Sequence, residues 1–163
     1  MSDDDRLRRA LRAHDSFERR DDDPGTWTSV TTPLDAAVRP RLREDGRARY
    51  RVTVRLPTLS ATTADDVAPV VEDGWFETFD LRVRDVGDIF RGDTDPDPTV
   101  SRDGDEVTVT AEVVDLDPRR GVDDASAFVN FVEGTYVQGV IPGYDYHEPV
   151  SLLVETARQR GGS

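Results

Sequence analysis

The sequence predicts an α+β fold: a five-stranded antiparallel sheet with helices packed on one face, in the order α-β-β-β-α-β-β-α-α. Two observations carry this expectation. Residues 35–56 and 99–115 each alternate polar and apolar residues on both sides of a Gly-containing turn, as β-hairpins do. Each hairpin is then followed by a longer segment whose apolar residues recur at helical spacing. Strands joined only by hairpins or through helices make an antiparallel sheet with its helices gathered on one side. At 163 residues the chain fits one domain, 1–163, large enough to bury a full core.

The elements follow in order. Residues 4–17 read as a helix with Asp3, Asp4 and Asp5 at the end where the macrodipole favours negative charge. Its apolar face is Leu7, Ala10, Leu11 and Phe17. "DDDPGTW" is a turn cluster, and "TWTSVTTPL" is β-like. In the first hairpin, a two-residue Asp45-Gly46 loop would set Arg43 against Ala48 and mix the faces. A three-residue Glu44-Asp45-Gly46 loop pairs Leu42 with Ala48, Pro40 with Tyr50, Val38 with Val52 and Ala36 with Val54. A one-residue slip turns every side chain over, so the three-residue loop is expected, with Gly46 left-handed. Pro40 marks its strand as an edge or a bulge at that point.

A helix over 67–86 is expected next, capped by Asp65 or Asp66 with Pro69 in its first turn. The second hairpin is expected to turn at Asp103-Gly104 and to pair Val100 with Val107. A second long helix is expected over 123–138, and a last one opens at Pro149, buries Val150, Leu153, Val154 and Ala157, and closes at Gly161. Gly74 and Gly134 lie inside helices beside Trp75 and Tyr136, where glycine costs about 1 kcal/mol relative to alanine. The expected reason is close packing, each glycine leaving room for backbone or an aromatic ring.

Composition speaks to habitat. There are 34 acidic residues against 21 basic ones, a net charge of −13; every basic residue is Arg. Such charge destabilises a compact state by self-repulsion unless salt screens it, which points to an extreme halophile. Without cysteine, disulfides and thiolate metal sites are excluded. "MSDDDRLRR" lacks the pattern of a secretory signal, and no apolar run is long enough to span a membrane. A cytoplasmic location is expected.

"AHDSFER", "TTPLDAAV" and "VAPVVEDGWFETF" resemble a haloarchaeal family whose function is unknown, and the likeness runs along nearly the whole chain. It implies no activity and no site. The element order separately resembles the type III secretion chaperone-like fold, whose members are small, acidic, mostly dimeric and bind polypeptides without catalysis. The last helix departs from that pattern.

Catalytic signatures are sparse. Only His14 and His147 supply imidazoles, and no G-x-S-x-G, P-loop, G-x-G-x-x-G or H-E-x-x-H occurs. Trp75, Tyr144 and His147 are the one set that suggests a pocket, for a small hydrolase or a ligand-binding protein. Asp93, Asp95 and Asp97 begin like a calcium loop, but Pro98 replaces the required Gly and Gly104 the bidentate Glu, so no metal or other cofactor is expected. The sharpest feature is the outer face of the first hairpin: Arg39, Arg41, Arg43, Arg47, Arg49, Arg51 and Arg55. Like charges directly opposed destabilise a sheet, so these arginines require anionic neighbours, internal or external. A nucleic-acid surface would interleave aromatics, and the expected register turns Tyr50 inward, which makes nucleic acid the weakest reading. The function expected is a non-catalytic interaction module, chaperone-like or adaptor, with a protein partner or a homodimer.

Overall fold

The structure, a computed structural model, describes residues 3–161, with side chains through Gln159. The chain runs α1 (Asp3–Ala13), β1 (Phe17–Arg19), β2 (Trp27–Ser29), β3 (Asp35–Leu42), β4 (Ala48–Pro57), α2 (Pro69–Arg84), β5 (Thr99–Asp103), β6 (Glu106–Asp115), α3 (Pro118–Gly139) and α4 (Val150–Gly161). A single 3₁₀ turn, Ser60–Thr62, leads out of β4. The strands form one antiparallel sheet in the order β1-β2-β3-β4-β6-β5.

The sheet therefore has six strands, not five. The additional one is β1, which the sequence reading absorbed into the first helix because Phe17 continues the spacing of Leu7 and Leu11. The helix ends earlier, in a turn where the Ser16 N–H donates to His14 Nδ1 at 3.2 Å. Phe17 is buried all the same, now as a strand residue paired with Ser29.

The first hairpin has the register that consistent faces require: Leu42 opposes Ala48, Pro40 opposes Tyr50, and Val38 opposes Val52. Gly46 has φ of +85°, the left-handed conformation its loop position demands. Pro40 lies past the end of β2, whose pairing with β3 covers Val38 and Ala37, so its missing N–H leaves no ladder bond unmade. In the second hairpin the pairing is displaced by two residues. Val100 opposes Val109, Asp103 opposes Glu106, and the loop is Gly104-Asp105, with positive φ at Gly104. A shift of two preserves the faces, which is why alternation alone did not exclude it.

Every inward position of β4, from Ala48 to Leu56, is buried, as are Val107, Val109, Ala111, Val113 and Asp115 of β6. All helices cover this side. α3 lies over β4 and β6, flanked by α1 and α2, and its Val122, Ala125, Phe128, Val129, Val132 and Tyr136 complete the core. It starts five residues before the expected position: Asp117 caps it, accepting from the Arg119 and Arg120 N–H groups, and Pro118 takes the first position. Gly121 in its first turn had disguised that start. α2 is capped by neither Asp65 nor Asp66; its N-cap is Ala68, with no side-chain bond. Asp65 instead accepts from the Thr63 hydroxyl at 3.0 Å and the Asp145 N–H at 2.7 Å. In α4, Val150 and Leu153 are buried, Val154 is half-buried and Ala157 is exposed.

The glycine expectation is corrected as well. A β-carbon built on Gly74 or Gly134 would meet nothing within 4 Å. The close approaches are elsewhere, at Gly121 against the Tyr50 ring, Gly92 against Asp115, and Gly139 against the Trp75 indole nitrogen at 3.4 Å.

Candidate protein-interaction face

With every helix on one side, the outward side chains of β3 and β4 face solvent. Arginines occupy three successive rows there: Arg39 beside Arg51, Arg41 beside Arg49, and Arg43 beside Arg47, whose backbones are bonded at 2.7 Å. Arg55 lies beyond them, opposite Asp35. Stacking six like charges on adjacent strands is unfavourable unless carboxylates intervene.

Carboxylates intervene at four of the seven. Arg39 reaches Asp23 at 3.6 Å, Arg43 reaches Asp45 at 3.4 Å, Arg49 reaches Glu112 at 3.6 Å and Arg55 reaches Glu106 at 4.0 Å. These are exposed contacts, each worth well under ~1 kcal/mol. Glu112 is the cross-strand neighbour of Arg51, yet its carboxylate turns to Arg49. The exposed side chains of Arg41, Arg47 and Arg51 form no ion pair among the described residues. They fall one to a row, Arg51 on β4, Arg41 on β3 and Arg47 just before β4. The aromatic of this hairpin, Tyr50, points inward and is fully buried.

The Trp75, Tyr144 and His147 set does not assemble. Trp75 is a core residue, stacked on Phe79 at 5.9 Å and edge-on to Tyr136 at 5.9 Å. Tyr144 meets Tyr146 edge-on at 6.3 Å in an open cleft of about 690 Å³, lined also by Val140, Val154 and Arg158. His147 has an exposed side chain and is held through its backbone, its N–H donating to the Thr62 carbonyl at 2.7 Å.

His14 does meet an acid and a pair of serines. Its Nε2 lies 3.1 Å from Asp123 Oδ1, and Ser16 and Ser126 share a hydroxyl contact of 3.2 Å nearby. The Ser16 backbone N–H already occupies Nδ1, so neither ring nitrogen is free to take a proton from a hydroxyl. The cluster ties α1 to α3 and does not activate a nucleophile.

A polar cluster that the sequence reading did not single out lies at the base of α3. Asp115, at the inward end of β6, is held by a fork of two bonds from Arg120, 2.7 and 2.8 Å long, and by the Asp117 N–H at 2.9 Å. Burial pushes its carboxyl up, but these donors outweigh burial and hold it below the usual carboxylate range. The buried Asp124 accepts the Arg91 and Gly92 N–H groups at 2.9 and 3.0 Å and fastens the loop after α2. The available signal was parity: in a strand whose inward positions are Val107, Val109, Ala111 and Val113, the next is an aspartate. That cluster is filled by its own donors. Among the described residues, no three His, Cys, Asp or Glu side chains gather as metal ligands.

No helix among the described residues is long and apolar enough to cross a membrane. No curated protein and no solved structure matches the chain. A family described as a family of unknown function, DUF5813, matches residues 12–156, which includes the arginine rows, the polar cluster and most of every layer of the fold. The chain belongs to that family.

Proposed function

We propose that this protein is a non-catalytic interaction module, a chaperone or adaptor, that receives the carboxylates of a protein partner on the open face of its sheet. One observation carries the reading: Arg41, Arg47 and Arg51 form no ion pair among the described residues of a chain that carries 34 acidic residues. Arginine forks match carboxylates in two parallel bonds, and the rows recur every two residues, about 6.6 Å apart, the repeat of an extended peptide. A halophilic setting supports a polypeptide over a nucleic acid, because multimolar salt removes most phosphate-derived affinity. The same setting gives the all-Arg, Asp-rich composition its reason and accords with a cytoplasmic protein.

The test is fluorescence anisotropy with a labelled peptide bearing aspartate at alternate positions, titrated with the full chain. Replacing Arg41, Arg47 and Arg51 together by Ser should weaken binding at least tenfold and leave thermal stability unchanged, while Arg6→Ser with Arg8→Ser should leave both unchanged. Equal binding by the triple variant would sink the reading. So would tighter binding, at the same salt, of a single-stranded oligonucleotide of equal charge.

A further inference from the structure

The occupant of the arginine face has a counterpart on the protein itself. Between α2 and β5 the chain runs along the outer edge of β6 as a substitute strand. The Thr94 hydroxyl bonds both the Val114 carbonyl and the Val114 N–H, at 2.8 and 3.0 Å, and the Pro96 carbonyl accepts the Glu112 N–H at 3.3 Å. Burial alternates along this strip: Pro96 and Pro98 are buried and Thr94 half-buried, while Asp93, Asp95 and Asp97 are exposed. None of the three aspartates has a cationic partner among the described residues. Three carboxylates at two-residue spacing, Asp95 accepting the Asp97 N–H at 3.2 Å but none with a cationic partner among the described residues, thus border a sheet with three arginines, one to each successive row, that likewise form no ion pair there.

Their relative placement is what a closed pair of molecules needs. Glu112 and Val114 are flanked on one side by Arg51 and Arg49 of β4 and on the other by Pro96 and Thr94. The arginine rows and the acidic strip therefore lie at the same level of the sheet, on opposite sides of β6 and about 10 Å apart at ~4.8 Å per strand. A two-fold axis through β6 lays each acidic strip over the other copy's arginines, so both contacts form at once and no site is left open to a third copy. A face of six strands and about eight residues spans roughly 24 by 27 Å, near 650 Å² per copy, close to the ~800 Å² per partner of a stable interface.

We infer that the open sheet face is a homodimer interface in which Arg41, Arg47 and Arg51 of one copy receive Asp93, Asp95 and Asp97 of the other. This rests on the reading of that face as a carboxylate-binding surface and names its occupant. Each copy carries a net charge of −13, so dimerisation at low salt works against long-range repulsion. That repulsion is screened beyond about 8 Å at physiological salt, whereas the facing ion pairs lie inside this distance. Association should accordingly strengthen from low to physiological ionic strength.

The experiment is sedimentation equilibrium of the full chain over a concentration series at several salt levels. A mass of twice 18.2 kDa is expected. Reversing the basic set (Arg41→Glu, Arg47→Glu, Arg51→Glu) or the acidic strip (Asp93→Lys, Asp95→Lys) should each give a monomer with unchanged circular dichroism. Mixing the two variants should restore a dimer of one copy of each, because every contact except that of the unreversed Asp97 with the new glutamates then joins opposite charges again. A wild-type monomer at all salt levels, or a dimer that survives either reversal, overturns the inference. If the wild type is monomeric yet binds the alternating aspartate peptide through the same arginines, the carboxylate-binding face stands and the homodimer falls. If it does neither, both fall.

Discussion

Gly121 in the first turn of α3 lies directly against the ring of Tyr50 in β4: a β-carbon there would come within 2.9 Å of Cζ and 3.0 Å of the hydroxyl oxygen. The ring is fully buried and its hydroxyl donates to the Pro118 carbonyl at 3.4 Å, so it has nowhere to retreat. Burial also pushes the Tyr50 hydroxyl far above its ordinary pKa. Gly121→Ala is expected to cost about 2–3 kcal/mol, the scale of an overpacked core. Urea denaturation of the two proteins measures it; equal midpoints would show that the helix shifts freely over the sheet.

Gly74 and Gly134 behave in the opposite way. Both are exposed and inside helices, with open space where a β-carbon would stand. Gly74→Ala and Gly134→Ala should each stabilise the protein by up to about 1 kcal/mol through helix propensity. A loss of stability in the same denaturation assay would mean that the surface above them is occupied in solution.

Arg120→Ala strands a buried carboxylate. The Asp115 side chain is 2% exposed, and without its forked partner it keeps backbone donors, the Asp117 N–H at 2.9 Å among them, beside the buried Asp124. The expected cost at neutral pH is about 3 kcal/mol, as for a buried ion pair that loses one member. In the wild type the Asp115 carboxyl is depressed, so its stabilisation is full above the ordinary value of 3.8 and fades as pH falls through the lower native value. In the variant burial is opposed only by backbone donors and the carboxyl rises relative to the wild type, so acid unfolding should begin at higher pH. An acid titration followed by circular dichroism distinguishes the two profiles.

His14 is expected to be the Nε2–H tautomer whenever it is neutral, since Nδ1 accepts from Ser16 and Nε2 donates to Asp123. Long-range ¹H–¹⁵N correlation spectra report the tautomer directly. His14→Ala should cost about 1 kcal/mol by removing both bonds between the end of α1 and its neighbours. An Nδ1–H signal would reopen the serine cluster to proton transfer.

The contrast between the two hairpins shows what a sequence discloses. In β3 and β4 most outward residues are charged, so the faces fix the parity of the pairing, and the short turn that holds Gly46 then selects the register found. In β5 and β6 the same alternation is kept when the pairing moves by two residues, and the displaced register is the one found. β1 is three residues long, too short for any period to show, and its one buried side chain suits a helix equally well. Asp115 and Asp124 are concealed differently: among 25 aspartates, two that turn inward have no distinct composition, and parity within β6 marks only Asp115, Asp124 lying in α3. The arginine face was legible as a face, but which of its members are already satisfied depends on Asp23, Asp45, Glu106 and Glu112, brought there by loops and by a neighbouring strand.

The strip from Thr94 to Pro98 also bears on how this protein fails. A sheet recruits further chains through unmet N–H and C=O groups along its margins, and here the margins are poor templates. β6 is finished off by a threonine hydroxyl and a proline carbonyl, β5 is five residues long with Arg102 tethered to Asp73, and β1 is three residues long. Growth by strand addition is thereby discouraged at both flanks. When destabilised, the chain should collect as amorphous precipitate, without the seeded, thioflavin-positive kinetics of a fibre.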